Sequence, residues 1–300
     1  MRAVITGGNG FVGRHLAAHL RACGDTVTIL DRDEHLDVRD RASTHELIAA
    51  ATPDVVYHLA AFTHVGDSWA DPSEVVRVNV EGTMNVLDAS RAAGASRVLV
   101  VGSAEEYGKV SPDEVPLSES TPLRPTTPYG ASKAAAGLFA VQAWLAHGLE
   151  TVRVRPFNHT GPGQAPIFLA PALAQRILDA IAAGHDAIPI GNLEPVRELL
   201  DVRDVVRAYR LLMERGVPGE AYNVATGHGH SVREIAETLL ALAERPLRLE
   251  VDPALVRPVE VARLVGDPSK LERATGWQPE HALTSTLRAV FDDAQARHTR

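Results

Sequence analysis

Cysteine is almost absent: Cys23 stands alone in 300 residues, so no internal disulfide can form and a reducing compartment is expected. Lysine is nearly as scarce, with only Lys109, Lys133 and Lys270. Positive charge does not accumulate either. The formal net charge is -8, which argues against a nucleic-acid surface, because that needs a concentrated basic patch. A few local arginines can still hold a small anion. No apolar run reaches the roughly 18 residues of a membrane span; the most apolar helical stretch, near 134–149, is broken by Gln142 and His147. The chain opens Met1-Arg2-Ala3-Val4-Ile5-Thr6, already strand-like, so no leader is expected. A soluble cytoplasmic protein is expected. The 45% hydrophobic and 23% charged residues supply a substantial core for one large α/β unit or two modest domains.

Short β-branched runs at 2–6, 26–31, 54–60, 97–103 and 151–157 alternate with helical patterns at 11–22, 43–51, 72–93 and 129–148. Ser43 followed by Glu46 reads as a capping box opening the second helix. Near-continuous apolar strands separated by helices predict an α/β fold: a doubly wound, Rossmann-type parallel sheet covered on both faces. After Pro156 the pattern loosens around Gly161, Pro162, Gly163 and Pro166. Helices near 169–183, 203–215 and 231–243 and strands near 187–191, 221–225 and 247–252 follow. The expected plan is a dinucleotide-binding Rossmann domain over 1–160 and a smaller, mainly substrate-binding region over 161–300. Within the latter, about 198–228 is expected to return to the first domain.

Thr6-Gly7-Gly8-Asn9-Gly10-Phe11-Val12-Gly13 lies between the first strand and the first helix. Glycine there lets the backbone approach a pyrophosphate, whose charge then sits on the helix N-terminus. With 23 glycines, a GxxGxxG string arises by chance with a probability of about 0.14. Its place between strand and helix therefore carries the reading, not the string. Asp31 ends the second strand, where an acid can bind the adenosine ribose hydroxyls and favour NAD(H). Arg32 beside it can instead hold a 2′-phosphate, so NAD(H) and NADP(H) are both open.

Tyr129 and Lys133 stand four apart on one helix face. A nearby ammonium favours the phenolate, lowers the tyrosine pKa and makes the phenol a usable proton donor or acceptor. Five tyrosines and three lysines give about 0.05 chance pairs at this spacing. A lysine kept where arginine is otherwise the rule points to a need for that cation. Ser103 ends the strand Val98–Val101 and its turn, and ligands of parallel sheets bind beyond the carboxyl ends of strands.

These segments, with His58-Leu59-Ala60-Ala61, Asn79 to Asn85, Gly102-Ser103-Ala104-Glu105-Glu106-Tyr107-Gly108 and Thr275-Gly276-Trp277-Gln278-Pro279, resemble the extended short-chain dehydrogenase/reductase family over nearly the entire chain. The resemblance implies that Tyr129 is the acid/base, that Lys133 orients the ribose, that Ser103 polarises the substrate oxygen and that Asn79 completes a proton relay. Cofactor contacts are implied for Gly7, Gly10, Phe11, Val12, Gly13, Asp31 and Arg32, and for Asp37, Val38, Leu59, Ala60, Ala61, Tyr129 and Lys133. The second half resembles the GDP-6-deoxy-4-keto-mannose reductases, through the runs Arg155 to Gln164, Ile190 to Glu194, Asp201 to Tyr209 and Arg257 to Val261. That likeness implies that Ser103, Asn158, Asn192, Arg197 and Arg257 hold a nucleotide-sugar, arginine supplying fork-shaped donors to the diphosphate.

Two segments depart from the reductase pattern: Glu198-Leu199-Leu200 after Arg197, and Ala165-Pro166-Ile167-Phe168. Glu105 falls where related 4,6-dehydratases carry a carboxylate that removes the C5 proton. Ala104 beside it lacks their usual acid or hydroxyl, which favours reduction. The expected activity is therefore reduction of the C4 ketone of an NDP-4-keto-6-deoxyhexose, GDP-linked, with no metal. The alternatives are a 4,6-dehydratase, a 4-epimerase and, outside catalysis, a dinucleotide-sensing regulatory protein, which would need no acid/base pair. The helices at 72–93 and 129–148 are expected to pair across a two-fold axis in a homodimer.

Overall fold

The computed structural model describes residues 1–243, 245–256 and 263–299. Six strands form one parallel sheet: β1 (Arg2–Thr6), β2 (Thr26–Leu30), β3 (Val55–His58), β4 (Arg97–Val101), β5 (Glu150–Pro156) and β6 (Ala221–Val224). Their spatial order is β6-β5-β4-β3-β1-β2, the doubly wound sheet expected from the alternation. Val4 lies opposite Thr28 on one side and Val56 on the other, and Leu99 opposite Tyr57 and Val152.

Successive side chains of a strand point to opposite faces, and this sheet buries both. Ala3, Ile5, Tyr57, Leu99 and Val154 pack with Leu16 and Leu20 of helix Phe11–Ala22 and with Val205 and Leu212 of helix Val202–Arg215. Val4, Val56, Val98 and Val100 pack on the other face with Ile48, Val86 and Ala140. A separate apolar cluster joins helices Leu169–Ala183, Val232–Leu240 and Leu283–His298. Residues 202–224 thus rejoin the main sheet, with β6 parallel to β5.

Several boundaries differ from the sequence reading. The helix expected from Ser43 begins at Arg41, because Asp40 caps it by accepting from the Ala42 and Ser43 N–H groups. Ser43 is no cap; its hydroxyl donates to the His35 carbonyl. The helix expected over 72–93 contains a π-turn at Arg77–Glu81, which accommodates the buried Asn79. Strands β3 and β4 stop at His58 and Val101, so Leu59–Ala61 and Gly102–Ser103 emerge as loops at the carboxyl edge of the sheet.

Candidate active site

The strand order reverses between β1 and its neighbours β2 and β3, and a cleft of about 980 Å³ opens there at the carboxyl edge of the sheet. Gly7 turns the chain out of β1 with φ 71°, and a Cβ on it would lie 2.7 Å from the Ala60 nitrogen. Only glycine meets both demands. Gly10 opens helix Phe11–Ala22 without a side-chain cap. Its first-turn N–H groups therefore suit an anion. Gly7, Gly10, Phe11, Val12 and Gly13 all line the cleft, as do Leu59, Ala60 and Ala61 packed beside Gly7.

Asp31, Arg32, Asp37 and Val38 line the cleft as well. The Asp31 carboxylate accepts from the Asn9 N–H at 2.9 Å and the Arg32 N–H at 2.8 Å, which fixes its orientation. The Arg32 side chain is exposed beside it. Asp37 is paired with Arg39 at 2.6 Å, and that guanidinium holds its carboxyl below the usual range. Shape, open N–H groups and a paired acid and cation match what a dinucleotide requires. Among the described residues, no group of three or more His, Cys, Asp or Glu is placed to hold a metal.

Tyr129 sits in the first turn of helix Pro128–His147, capped by Thr127. Its phenol and Ser103 line the same cleft, and the Ser103 hydroxyl accepts from the Glu105 N–H at 3.1 Å. Lys133 lies one turn on, its Nζ 6.0 Å from the Tyr129 ring centre and donating to the Val101 carbonyl at 2.8 Å. Ser103, Ala104, Glu105, Tyr129 and Lys133 all line the cleft. The expected lowering of the Tyr129 pKa is not what this arrangement produces. Burial pushes the phenol up, and the nearby Ser103 hydroxyl only partly offsets that. Lys133 itself is lowered to about 8 by burial. A buried phenol that keeps its proton is arranged to donate it.

Asn79 does not reach the cleft. Its side chain accepts from the Phe62 N–H at 2.7 Å and donates to the Phe62 carbonyl and to Ser132 at 2.9 Å. Its own carbonyl accepts from Thr83. With these groups engaged below the surface, it fixes the loop after β3 to the tyrosine helix.

At the other end, Asn158, Asn192 and Arg197 line the cleft. Arg197 donates to the Val196 carbonyl at 2.9 Å, and Asn192 accepts from the Glu194 N–H at 3.1 Å. Arg257 lies outside the described residues. The sequence reading passed over His159, which stacks on Phe11 at 6.3 Å, and Arg176, a half-buried cleft residue that donates to the Pro189 carbonyl. Neither has a spacing signal; each reaches the cleft through tertiary packing alone.

A family model described as GDP-mannose 4,6 dehydratase matches residues 34–290. The chain is 35% identical to the GDP-6-deoxy-D-mannose reductase of Pseudomonas aeruginosa, over 99% of this chain and 98% of that one. The solved structure of RMD from Pseudomonas aeruginosa complexed with NADPH superposes with a TM-score of 0.91 at 34% identity, covering 99% of this chain and all of that one, 100%. The UDP-glucose 4-epimerase of Thermus thermophilus in complex with NAD follows this fold with a TM-score of 0.88 at 30% identity, over 98% and 99% of the two chains.

Proposed function

The chain belongs to the GDP-mannose 4,6 dehydratase family of extended short-chain dehydrogenase/reductases, and we propose that it reduces the C4 ketone of a nucleotide-linked 4-keto-6-deoxyhexose, with GDP as the nucleotide. The observation that carries this reading is Ala104, a buried methyl between Ser103 and Glu105. Removing water across C5 and C6 calls for a base at one carbon and an acid at the other. At this end of the cleft the turn offers one carboxylate, Glu105, and no acid or hydroxyl at position 104. Reduction of a ketone needs only a hydride, a proton and a polarising donor.

NADH or NADPH, held by the Gly7–Gly13 turn and Asp31, would supply the hydride. Ser103 donates to the ketone oxygen, and Tyr129 hands its proton to the alkoxide as it forms. Lys133, held by the Val101 carbonyl, stabilises the phenolate that remains. Arg197 and Asn158 hold the diphosphate and sugar, with Arg257 completing the set. Asp31 favours NADH and Arg32 favours NADPH, so both cofactors belong in the assay. The second reading, 4,6-dehydration, is favoured by Glu105, which also lines the cleft.

The molecule acts in the cytoplasm as a homodimer. Val76 and Met84 on the two helices Pro72–Val76 and Gly82–Ala92, and Leu138 and Leu145 on helix Pro128–His147, are 42% to 76% exposed, and these helices are neighbours. A face of that kind needs a cover, and a second copy supplies an identical one. The reaction is tested by mixing the protein with GDP-4-keto-6-deoxymannose and each reduced cofactor. Loss of cofactor absorbance with formation of a GDP-6-deoxyhexose supports it; an inert mixture with both cofactors refutes it.

A further inference from the structure

Two adjacent glutamates follow Ser103, and they face opposite ways. Glu105 lines the cleft, whereas Glu106 turns inward and is 3% exposed. Its Oε1 accepts from the Ser103 N–H at 2.9 Å, closing a capping box around the Ala104–Glu106 turn. Its Oε2 meets Arg155 Nε of β5 at 2.9 Å, both side chains being buried. Arg155 continues inward, donating to the Tyr107 hydroxyl at 3.2 Å and the Glu119 carbonyl at 3.2 Å. Tyr107 in turn donates to Asn223 of β6 at 2.6 Å. The carboxylate lies so close to Gly102 that a Cβ there would overlap Oε1. Gly102 follows Val101, whose carbonyl holds Lys133. Lys133 and Glu106 thus grip the three residues 101–103 from two sides.

A buried ion pair is costly to desolvate and adds little to stability over an apolar pair of the same size. This one is bonded to the Ser103 N–H, which gives the charge another use. We propose that Glu106 is a positioning residue for the proposed reduction: with Arg155 behind it, it fixes the Ser103 turn and the strand end whose carbonyl holds Lys133. The proposal rests on the catalytic reading of Ser103, Tyr129 and Lys133. Around Lys133, the Tyr129 ring comes from its own helix, the Val101 carbonyl from β4, and His58 from β3. His58 is kept neutral by burial and by Lys133, its pKa lowered to about 3. Glu106 comes from the turn, with Arg155 of β5 on its far side. Burial drives the Lys133 proton off and Glu106 draws it back, so removing the glutamate charge lets burial act unopposed.

The chain's three lysines make the test direct. Protein labelled with carbon-13 at lysine Cε gives three titrating signals by NMR, and Lys133→Arg assigns the one from position 133. Glu106→Gln removes the charge but leaves Arg155 buried and unpaired, so Glu106→Gln/Arg155→Met is measured beside it as a balanced pair. In both variants the Lys133 midpoint is expected to fall by about one pH unit from its wild-type position. Turnover of the 4-keto sugar is expected to fall about twofold at neutral pH and about tenfold near pH 9, its alkaline limb moving down with the lysine while KM changes by less than about threefold. An unmoved Lys133 midpoint in a folded variant overturns the proposal. The titration needs no substrate. A protein that reduces no 4-keto sugar while Lys133 shifts as stated defeats the reaction reading and leaves the assignment of Glu106 to Lys133 intact.

Discussion

Replacing Glu198 by glutamine or alanine probes the wall that carries Arg197. Glu198 has no exposed surface, and its carboxylate gathers three chain segments. Oε1 accepts from the Thr226 N–H and hydroxyl, both at 2.8 Å, and from the His228 N–H at 3.2 Å; Oε2 accepts from the Gly266 N–H at 3.0 Å. In Glu198→Gln the carbonyl keeps the Oε1 partners, but the amide NH₂ faces the Gly266 N–H, donor against donor. One orphaned buried donor costs about 2 kcal/mol. In Glu198→Ala the Thr226 and Gly266 N–H groups both lose their partner, at about 4 kcal/mol together, because exposed His228 can turn its N–H to water. For 300 residues the unfolding entropy makes each kcal/mol worth about 1.6 °C. Differential scanning fluorimetry should therefore give Tm losses of about 3 °C for Glu198→Gln and about 6 °C for Glu198→Ala. Because Arg197, on the strand paired to Arg263–Leu264, directly precedes Glu198, KM for the nucleotide-sugar should rise before kcat falls. A Glu198→Ala protein within about 1 °C of wild type would refute the reasoning, since water would then be an adequate substitute for the carboxylate.

Tyr129→Phe should fold and bind cofactor, read by cofactor fluorescence, yet lose about 10²–10⁴ in kcat; near wild-type turnover would remove the phenol from the mechanism. His58, bridged between Thr6 at 2.8 Å and Thr83 at 3.0 Å, is pushed down by burial to about 3. The unfolded chain takes up a proton there below its ordinary pKa near 6.5 while the folded chain does not, so stability falls as the pH drops from 6.5 toward 3, by about 1.4 kcal/mol per unit from this residue. Thermal melts of His58→Gln across that window should show a shallower slope, and an unchanged slope would contradict the assignment. Light scattering at micromolar concentration should give a dimer, and Leu138→Arg/Leu145→Arg a monomer; a monomeric wild type would defeat the homodimer.

The parallel sheet and the tyrosine–lysine pair were legible in the sequence because each rests on local spacing. Runs such as Val98–Val101 have no other place than a strand buried on both faces, and residues four apart on a helix must share a face. Placement by tertiary contact was not legible. Nothing in the pair Glu105-Glu106 says which one faces the cleft; the partner that decides it, Arg155, lies 49 residues away. Asn79 matched a motif, but the π-turn that holds it beneath Phe62 and Ser132 leaves no periodic trace in the side-chain pattern. Asp40 displaced Ser43 as a cap because its carboxylate reaches two N–H groups of a helix that starts two residues earlier. The upward shift of Tyr129 was missed for a related reason: spacing reveals the neighbouring lysine but not the burial that raises the phenol.

The central claim, reduction rather than dehydration, is tested most directly by cofactor stoichiometry. Wild-type protein and Glu105→Gln are each given GDP-mannose or a GDP-4-keto-6-deoxyhexose with a measured amount of NADH or NADPH, and both sugar and cofactor are quantified. A dehydratase regenerates its cofactor every cycle, whereas a reductase consumes it. Wild type is expected to leave GDP-mannose unchanged and to oxidise one cofactor per ketone reduced, with Glu105→Gln retaining much of the rate. Conversion of GDP-mannose without net cofactor oxidation, lost by on the order of 10²-fold or more in Glu105→Gln, would contradict the account.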